Sequence, residues 1–249
     1  MLKTSFASFA LASAIALTPL LSQAQQKPPE PDYTLTGNVS LVTDYRYRGI
    51  SQTRLKPALQ GTVDFAHKSG FYLGAFGTNI KWIKDSLPTS GGSVEIDLYG
   101  GYKGAISGDL GYDVGLLQYF YPGNNLSPNA NTTEIYGGLT YKQFSLKYSR
   151  SISTLFGFAN SKGSGYLEGN ATFDLGDGWG VTGHLGHQSV ASNSGFSYTD
   201  YKIGLTKDLS GFILGAALVG TDTKKYVGPA PGNKNLGKDS VVLSIGKNF

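Results

Sequence analysis

From Tyr33 onward the chain alternates. Leu35, Gly37, Val39, Leu41, Thr43, Tyr45 and Tyr47 fall on one side of an extended backbone. Thr34, Thr36, Asn38, Ser40, Asp44, Arg46 and Arg48 fall on the other, with Val42 the one apolar exception. A period of two sustained this long predicts a single amphipathic strand running to Arg48. The pattern recurs and predicts further strands at 58–67, 70–80, 93–102, 110–121, 131–141, 144–152, 164–175, 179–188, 197–206, 212–221 and 240–249. Val94, Ile96 and Leu98 against Glu95, Asp97 and Tyr99 is a clear instance; 70–80, 110–121 and 212–221 alternate poorly. No segment carries an apolar stripe at 3.6-residue spacing, so helices should be minor.

The connections sort by parity. Those after even strands are short: "KSG" around Lys68, "KGAISGD" from Lys103, "KQ" at Lys142, "GDG" at 176–178 and "KDLSG" from Lys207. Those after odd strands are longer: 49–57, 81–92, 122–130, 153–162, 189–196 and 222–238. A soluble sandwich has no reason to sort its loops this way, whereas a transmembrane barrel has tight turns on one side and extended loops on the other. The expected fold is therefore all-β, a transmembrane antiparallel up-and-down β-barrel of about 12 strands.

Alternation alone leaves a lipocalin-like soluble barrel as a rival. Strands of about 9 to 12 residues match a tilted membrane crossing. Aromatic residues fall near both strand ends: Tyr33, Phe71, Tyr102, Phe144, Trp179, Phe212 and Phe249 toward the short turns, and Tyr45, Tyr47, Trp82, Tyr119, Phe120 and Tyr121 toward the long loops. Two interfacial girdles are expected from this. The polar face also carries more ionisable groups than a dry core tolerates, since unpaired buried charges are costly. The final "VVLSIGKNF" places Val241, Leu243, Ile245 and Phe249 on one face and resembles the signal that outer-membrane barrels present to the barrel assembly machinery, with Lys247 a departure from the usual apolar residue.

Residues 1–24 read as an address rather than a strand. Lys3 precedes an apolar run from Phe6 to Leu21, and Ser22-Gln23-Ala24 supplies small residues for cleavage after Ala24 on Sec export. The expected organisation is a signal peptide at 1–24, a short periplasmic segment at 25–32 and the barrel at 33–249, in the outer membrane of a Gram-negative bacterium. Charged residues are only 15% of the chain where about 25% is ordinary. Cysteine is absent, so disulfides contribute nothing. The net charge of +4, reduced by one when Lys3 leaves, is too weak to argue for nucleic acid.

At "VSLVTDYRYRGISQTRLKPALQGTVDFAHKSGFYLGAF" the sequence resembles the TorF family of porins, long catalogued as a conserved bacterial family of unknown function. The residues that carry the likeness are Asp44-Tyr45, Arg48-Gly49, Ser51-Gln52-Thr53, Pro57-Ala58, Gln60-Gly61 and Ser69 to Tyr72, with a looser match at Tyr112 to Gly123. The resemblance implies an outer-membrane barrel that conducts solutes and brings no assigned substrate.

With lipid on the odd side of the first strand, Tyr45 and Tyr47 are expected at the outer interface and Asp44, Arg46 and Arg48 in the lumen. A guanidinium keeps its charge and offers five donors, so these arginines either brace the wall, set a selective field, or contact lipopolysaccharide or a partner. Gly49, Ser51 and Gln52 are candidates for a loop folded inward as a constriction. Other expected lumen charges are Asp64, Glu95, Asp97, Asp113, Glu134, Lys147, Glu168, Asp174, Asp200 and Lys202. Acids prevail there, while the long loops hold Arg54, Lys56, Lys81, Lys84, Lys162, Lys224, Lys225, Lys234 and Lys238. Mild cation preference in mid-pore and a basic rim able to meet lipopolysaccharide phosphates are expected.

Signals for catalysis are thin. His67, His184 and His187 are scattered, a lipase-like site on the outward face would have only His187 with serines such as Ser164 or Ser197, and no metal cluster or cofactor is expected. The glycines of "GGYKGAISGDLG" lack the strand-to-helix setting of a phosphate loop. The reading is a porin or channel for passive passage of small solutes or ions, against a closed barrel serving as surface receptor, adhesin or anchor. A periplasmic binding barrel is a third, weaker reading.

Overall fold

Each of the expected alternating runs pairs with its sequence neighbour, and the last strand returns to the first. The computed structural model describes residues 31–229 and 232–249; the expected signal peptide lies outside them. The barrel strands are β1 (Tyr33–Val42), β4 (Ala58–His67), β5 (Phe71–Asn79), β6 (Val94–Ser107), β7 (Leu110–Phe120), β8 (Thr132–Tyr141), β9 (Phe144–Ser151), β10 (Gly165–Gly176), β11 (Trp179–Ser189), β12 (Tyr198–Leu209), β13 (Phe212–Thr221) and β14 (Ser240–Asn248). They form one closed antiparallel ring in which β1 pairs with both β4 and β14. Two short strands, β2 (Arg46–Tyr47) and β3 (Ile50–Ser51), pair with each other outside that ring. Helix is confined to α1 (Trp82–Ser86) and one 3₁₀ turn at Ser194–Phe196 among the described residues.

The faces sort as water and lipid require. Leu35, Leu59, Leu185, Ile203 and Val241 point outward and are each at least 60% exposed, while Glu95, Glu134 and Asp200 point inward at 1%. A soluble barrel would reverse this order, because an apolar belt around the outside is stable only in hydrocarbon. The chain is a transmembrane barrel, its backbone donors and acceptors satisfied strand to strand.

Two of the short connections are tighter than their composition implied. β6 runs on to Ser107 and β12 to Leu209, leaving two-residue turns at Gly108–Asp109 and Ser210–Gly211. Ser210 and Gly211 take φ of 54° and 90°, the left-handed pair that matches strand twist in a two-residue hairpin.

The first strand is shorter than expected. Sequence alternation continues to Arg48, yet β1 stops at Val42, which pairs with Ala58 and Ser244 at its two edges. After Thr43, whose N–H donates to the Leu243 carbonyl, the chain leaves the wall and turns into the lumen. Tyr45 and Tyr47 therefore do not anchor an outer girdle; Tyr45 is buried, and both rings lie inside the barrel. Tyr119 and Tyr121 likewise face inward, and Trp82 packs edge-on against Tyr121 from α1. Their hydroxyls and rings find partners in the barrel mouth that lipid could not supply. Phe120 does face outward, and Tyr33, Phe71, Tyr102, Phe144, Trp179, Phe212 and Phe249 all sit on the exterior at the short-turn end.

Candidate functional site

The segment after β1 forms a ribbon across the mouth. Arg48 and Gly49, at φ 45° and 78°, make the two-residue turn between β2 and β3. A side chain at position 49 would place its Cβ 2.5 Å from Thr221 Cγ2 and 2.7 Å from Asp200 Cβ, so the tip abuts the β12–β13 wall. Only glycine combines that backbone with that clearance.

The base of the ribbon is tied by Asp44. Its carboxylate pairs with Arg46 Nε at 2.6 Å and accepts from Ser51 Oγ at 2.6 Å and Thr53 Oγ1 at 3.1 Å. Arg46 also donates to the carbonyls of Gly49 (2.9 Å) and Lys238 (2.8 Å) and to Ser240 Oγ (2.8 Å). Its fork is thus spent on holding the ribbon to the end of β14. Gln52 fixes the next long loop, since its carbonyl accepts from the backbone N–H of Lys81 and Trp82.

The tip is tied by Arg48. In ring order β9 lies opposite β1, and Arg48 reaches the strands around it. It makes a bidentate pair with Glu134 of β8 at 2.7 and 3.1 Å and donates to Gln188 Oε1 of β11 at 2.6 Å. Its guanidinium lies 4.8 Å from the Tyr47 ring centre and 4.1 Å from that of Tyr166 on β10. Burial disfavours the charge, but Glu134 and the neighbouring phenols outweigh it and hold the pKa well above its usual value. Between base and tip, Tyr45 donates to Glu95 at 2.5 Å and Tyr47 bonds Tyr119 hydroxyl to hydroxyl.

Eight of the residues singled out from sequence meet here: Asp44, Arg46, Arg48, Gly49, Ser51, Gln52, Glu95 and Glu134 all belong to or touch the ribbon, with Asp97 below it. Asp97 Oδ1 is buried without a partner among the described residues. Lys147 and Glu168 pair at 2.9 Å deeper in the lumen, where His184 meets Asp200 at 2.9 Å and Lys202 lines the same space. Asp64 stands apart, accepting from Tyr99 at 2.5 Å nearer the short turns, as Asp113 does from Tyr72. Phe249 is on the exterior, its backbone exchanging hydrogen bonds with Gly37. Tyr166, Gln188 and Ser240 were not singled out; each lies on the polar side of its strand, but an uncharged polar residue there gives no sign of which group it will hold.

The ribbon separates two spaces. The inner one, about 570 Å³, is lined by Arg46, Arg48, Asp97, Lys147, Glu168 and Lys202. The outer one, about 490 Å³, is lined by rings, chiefly Tyr47, Trp82, Tyr121, Phe156, Phe158 and Tyr226.

The model of a family described as bacterial protein of unknown function (Gcw_chp) matches residues 25–249. The chain belongs to the Gcw_chp family. Among solved structures, this Gcw_chp barrel is similar to the NanC porin, with a TM-score of 0.55 and 11% identity over 87% of this chain and 99% of that one. It is also similar to the KdgM porin, solved in complex with disordered oligogalacturonate, with a TM-score of 0.52 and 8% identity over 86% and 97%. At such identities the likeness is one of fold. No curated protein sequence matches.

Proposed function

We propose that the protein is a passive outer-membrane channel for small solutes or ions, with the ribbon of residues 43–53 setting its bore. The observation that carries this reading is the polar space of about 570 Å³ beneath the ribbon, lined by charges of both signs inside an apolar exterior. Such a lining suits a hydrated lumen and serves no purpose in a sealed core. The likeness of residues 44–72 to the TorF porins supports the same reading, as does the porin fold. Export through the Sec route with cleavage after Ala24, insertion by the assembly machinery through the Phe249 signal, and contact of the loop lysines with lipopolysaccharide complete it.

Arg46 braces; Arg48 braces and also lines the inner space. Because acids outnumber bases along the wall, the channel prefers cations mildly, and an acidic oligosaccharide of the kind bound to the KdgM porin fits poorly. Reversal potentials showing strong anion selectivity in a salt gradient would overturn that preference. One feature favours a second reading: a ribbon fastened to both sides of the mouth suits a closed barrel acting as surface receptor, adhesin or anchor.

Single-channel recording of the refolded mature protein beside Arg46→Ala/Arg48→Ala separates the two. Steady steps whose selectivity changes in the double variant support the channel. A silent wild type whose gel mobility is still heat-modifiable, hence folded, supports the closed barrel.

A further inference from the structure

We propose that the outer cavity is a binding site for a neutral sugar of one or two rings. The inference rests on the cavity and not on conduction, so it applies to a channel and to a closed receptor alike.

The cavity's size, about 490 Å³, lies within the ~300–1,000 Å³ span of small-molecule sites. Two aromatic groups flank it. On one side Tyr47, Tyr119 and Phe156 pack edge to face at 5.1 to 5.5 Å, with Trp82 against Tyr121 at 5.3 Å beside them. On the other, Phe158, Phe196, Tyr198 and Tyr226 cluster at 5.0 to 6.5 Å. Rings lining a cavity suit a ligand with apolar faces.

The polar groups narrow the class. Trp82 Nε1, a donor, and Asp85 Oδ2, an acceptor, are both buried without a hydrogen-bond partner among the described residues, and both residues belong to the cavity wall. They stand three residues apart on α1, hence on one face of it. Tyr198 is 5% exposed and lines the same space, and its hydroxyl has no partner among the described residues. An unsatisfied donor beside an unsatisfied acceptor calls for a ligand whose groups do both. Sugar hydroxyls donate and accept, and a pyranose presents C–H faces to stacked rings. Charge is not called for: Asp85 already meets Arg54 at 3.4 Å, and Lys225 is exposed at the rim.

The protein carries its own reporter. Its two tryptophans are Trp82, in the cavity wall, and Trp179, on the lipid face at the far end. In Trp179→Phe, emission comes from Trp82 alone. Titrating that detergent-solubilised barrel with methyl glucoside and cellobiose should give a saturable change in emission. Tyr198→Phe, which deletes one hydroxyl, and Asp85→Asn should each weaken binding about tenfold, ~1.4 kcal/mol. No saturable change with either sugar, in a barrel shown folded by heat-modifiable mobility, overturns the proposal. A stronger response to galacturonate or to tetramethylammonium overturns it as well, by assigning the rings to an ionic ligand. Conductance, measured separately, is expected to continue in Tyr198→Phe, so loss of sugar binding and loss of the channel are told apart.

Discussion

The two ends of the barrel use the same residue types in opposite directions. At the short-turn end, Tyr33, Phe71, Tyr102, Tyr141, Phe144, Trp179 and Phe212 ring the exterior. At the long-loop end, Tyr45, Tyr47, Tyr119, Tyr121 and Tyr198 are turned inward around the ribbon. One set works by its ring lying between hydrocarbon and water, the other by filling space and donating a hydroxyl. The difference teaches that an aromatic near a strand end has two destinations. The neighbour offered on the inside decides between them: Glu95 for Tyr45, Glu134 and the Tyr47 hydroxyl for Tyr119.

The contrast breaks most severely at the ribbon tip. Arg48→Ala should cost about 3–5 kcal/mol in denaturant unfolding, because Glu134 is then buried with its bidentate partner gone. Conductance should rise as the tip comes free. An unchanged stability and an unchanged conductance together would mean the mouth is not held by this pair, and the two ends would differ only in appearance. Next in size is a matched pair of truncations: Tyr119→Ala should cost roughly 3–5 kcal/mol as a packed ring is lost, and Tyr141→Ala on the exterior much less. Equal losses in vesicle-reconstituted unfolding would erase the distinction.

A third test sharpens inside against outside. Ile203→Lys, midway along β12 and 68% exposed, should cost about 2–4 kcal/mol. Lys202→Ile, one residue earlier and facing the lumen, should cost less. Gly49→Ala should follow at about 1–3 kcal/mol for the forced backbone, with noisier current as the displaced tip loses its seat. The smallest effect is electrical: Lys202→Ala removes one of few lumen bases, so the reversal potential should move further toward cations with stability nearly unchanged.

Much of this was legible in the chain. Period two locates the strands because lipid on one side and water on the other impose it on each of them, and loop parity reflects the two sides of a membrane. Asp44, Arg46 and Arg48 line the space beneath the ribbon. Where β1 ends was not legible. Periodicity reports which way a side chain points relative to its neighbours, and the ribbon preserves that alternation after leaving the wall. The available sign was the Arg48-Gly49 dipeptide between Tyr47 and Ile50, a two-residue turn flanked by strand formers. The aromatic placement failed for a related reason: Tyr119 and Phe120 are adjacent, and sequence position near a strand end cannot choose between their opposite faces.

Arg46 joins parts of the chain 192 and 194 residues apart, bonding Lys238 and Ser240 from a ribbon that begins just after β1. β1 and β14 are also the two strands whose pairing closes the ring. The ribbon is therefore fastened by both edges of the seam, and its Arg46 anchor cannot form before the barrel is shut. Order is written into the geometry: while the first and last strands remain apart, the Arg46 fastening to Lys238 and Ser240 has no seat.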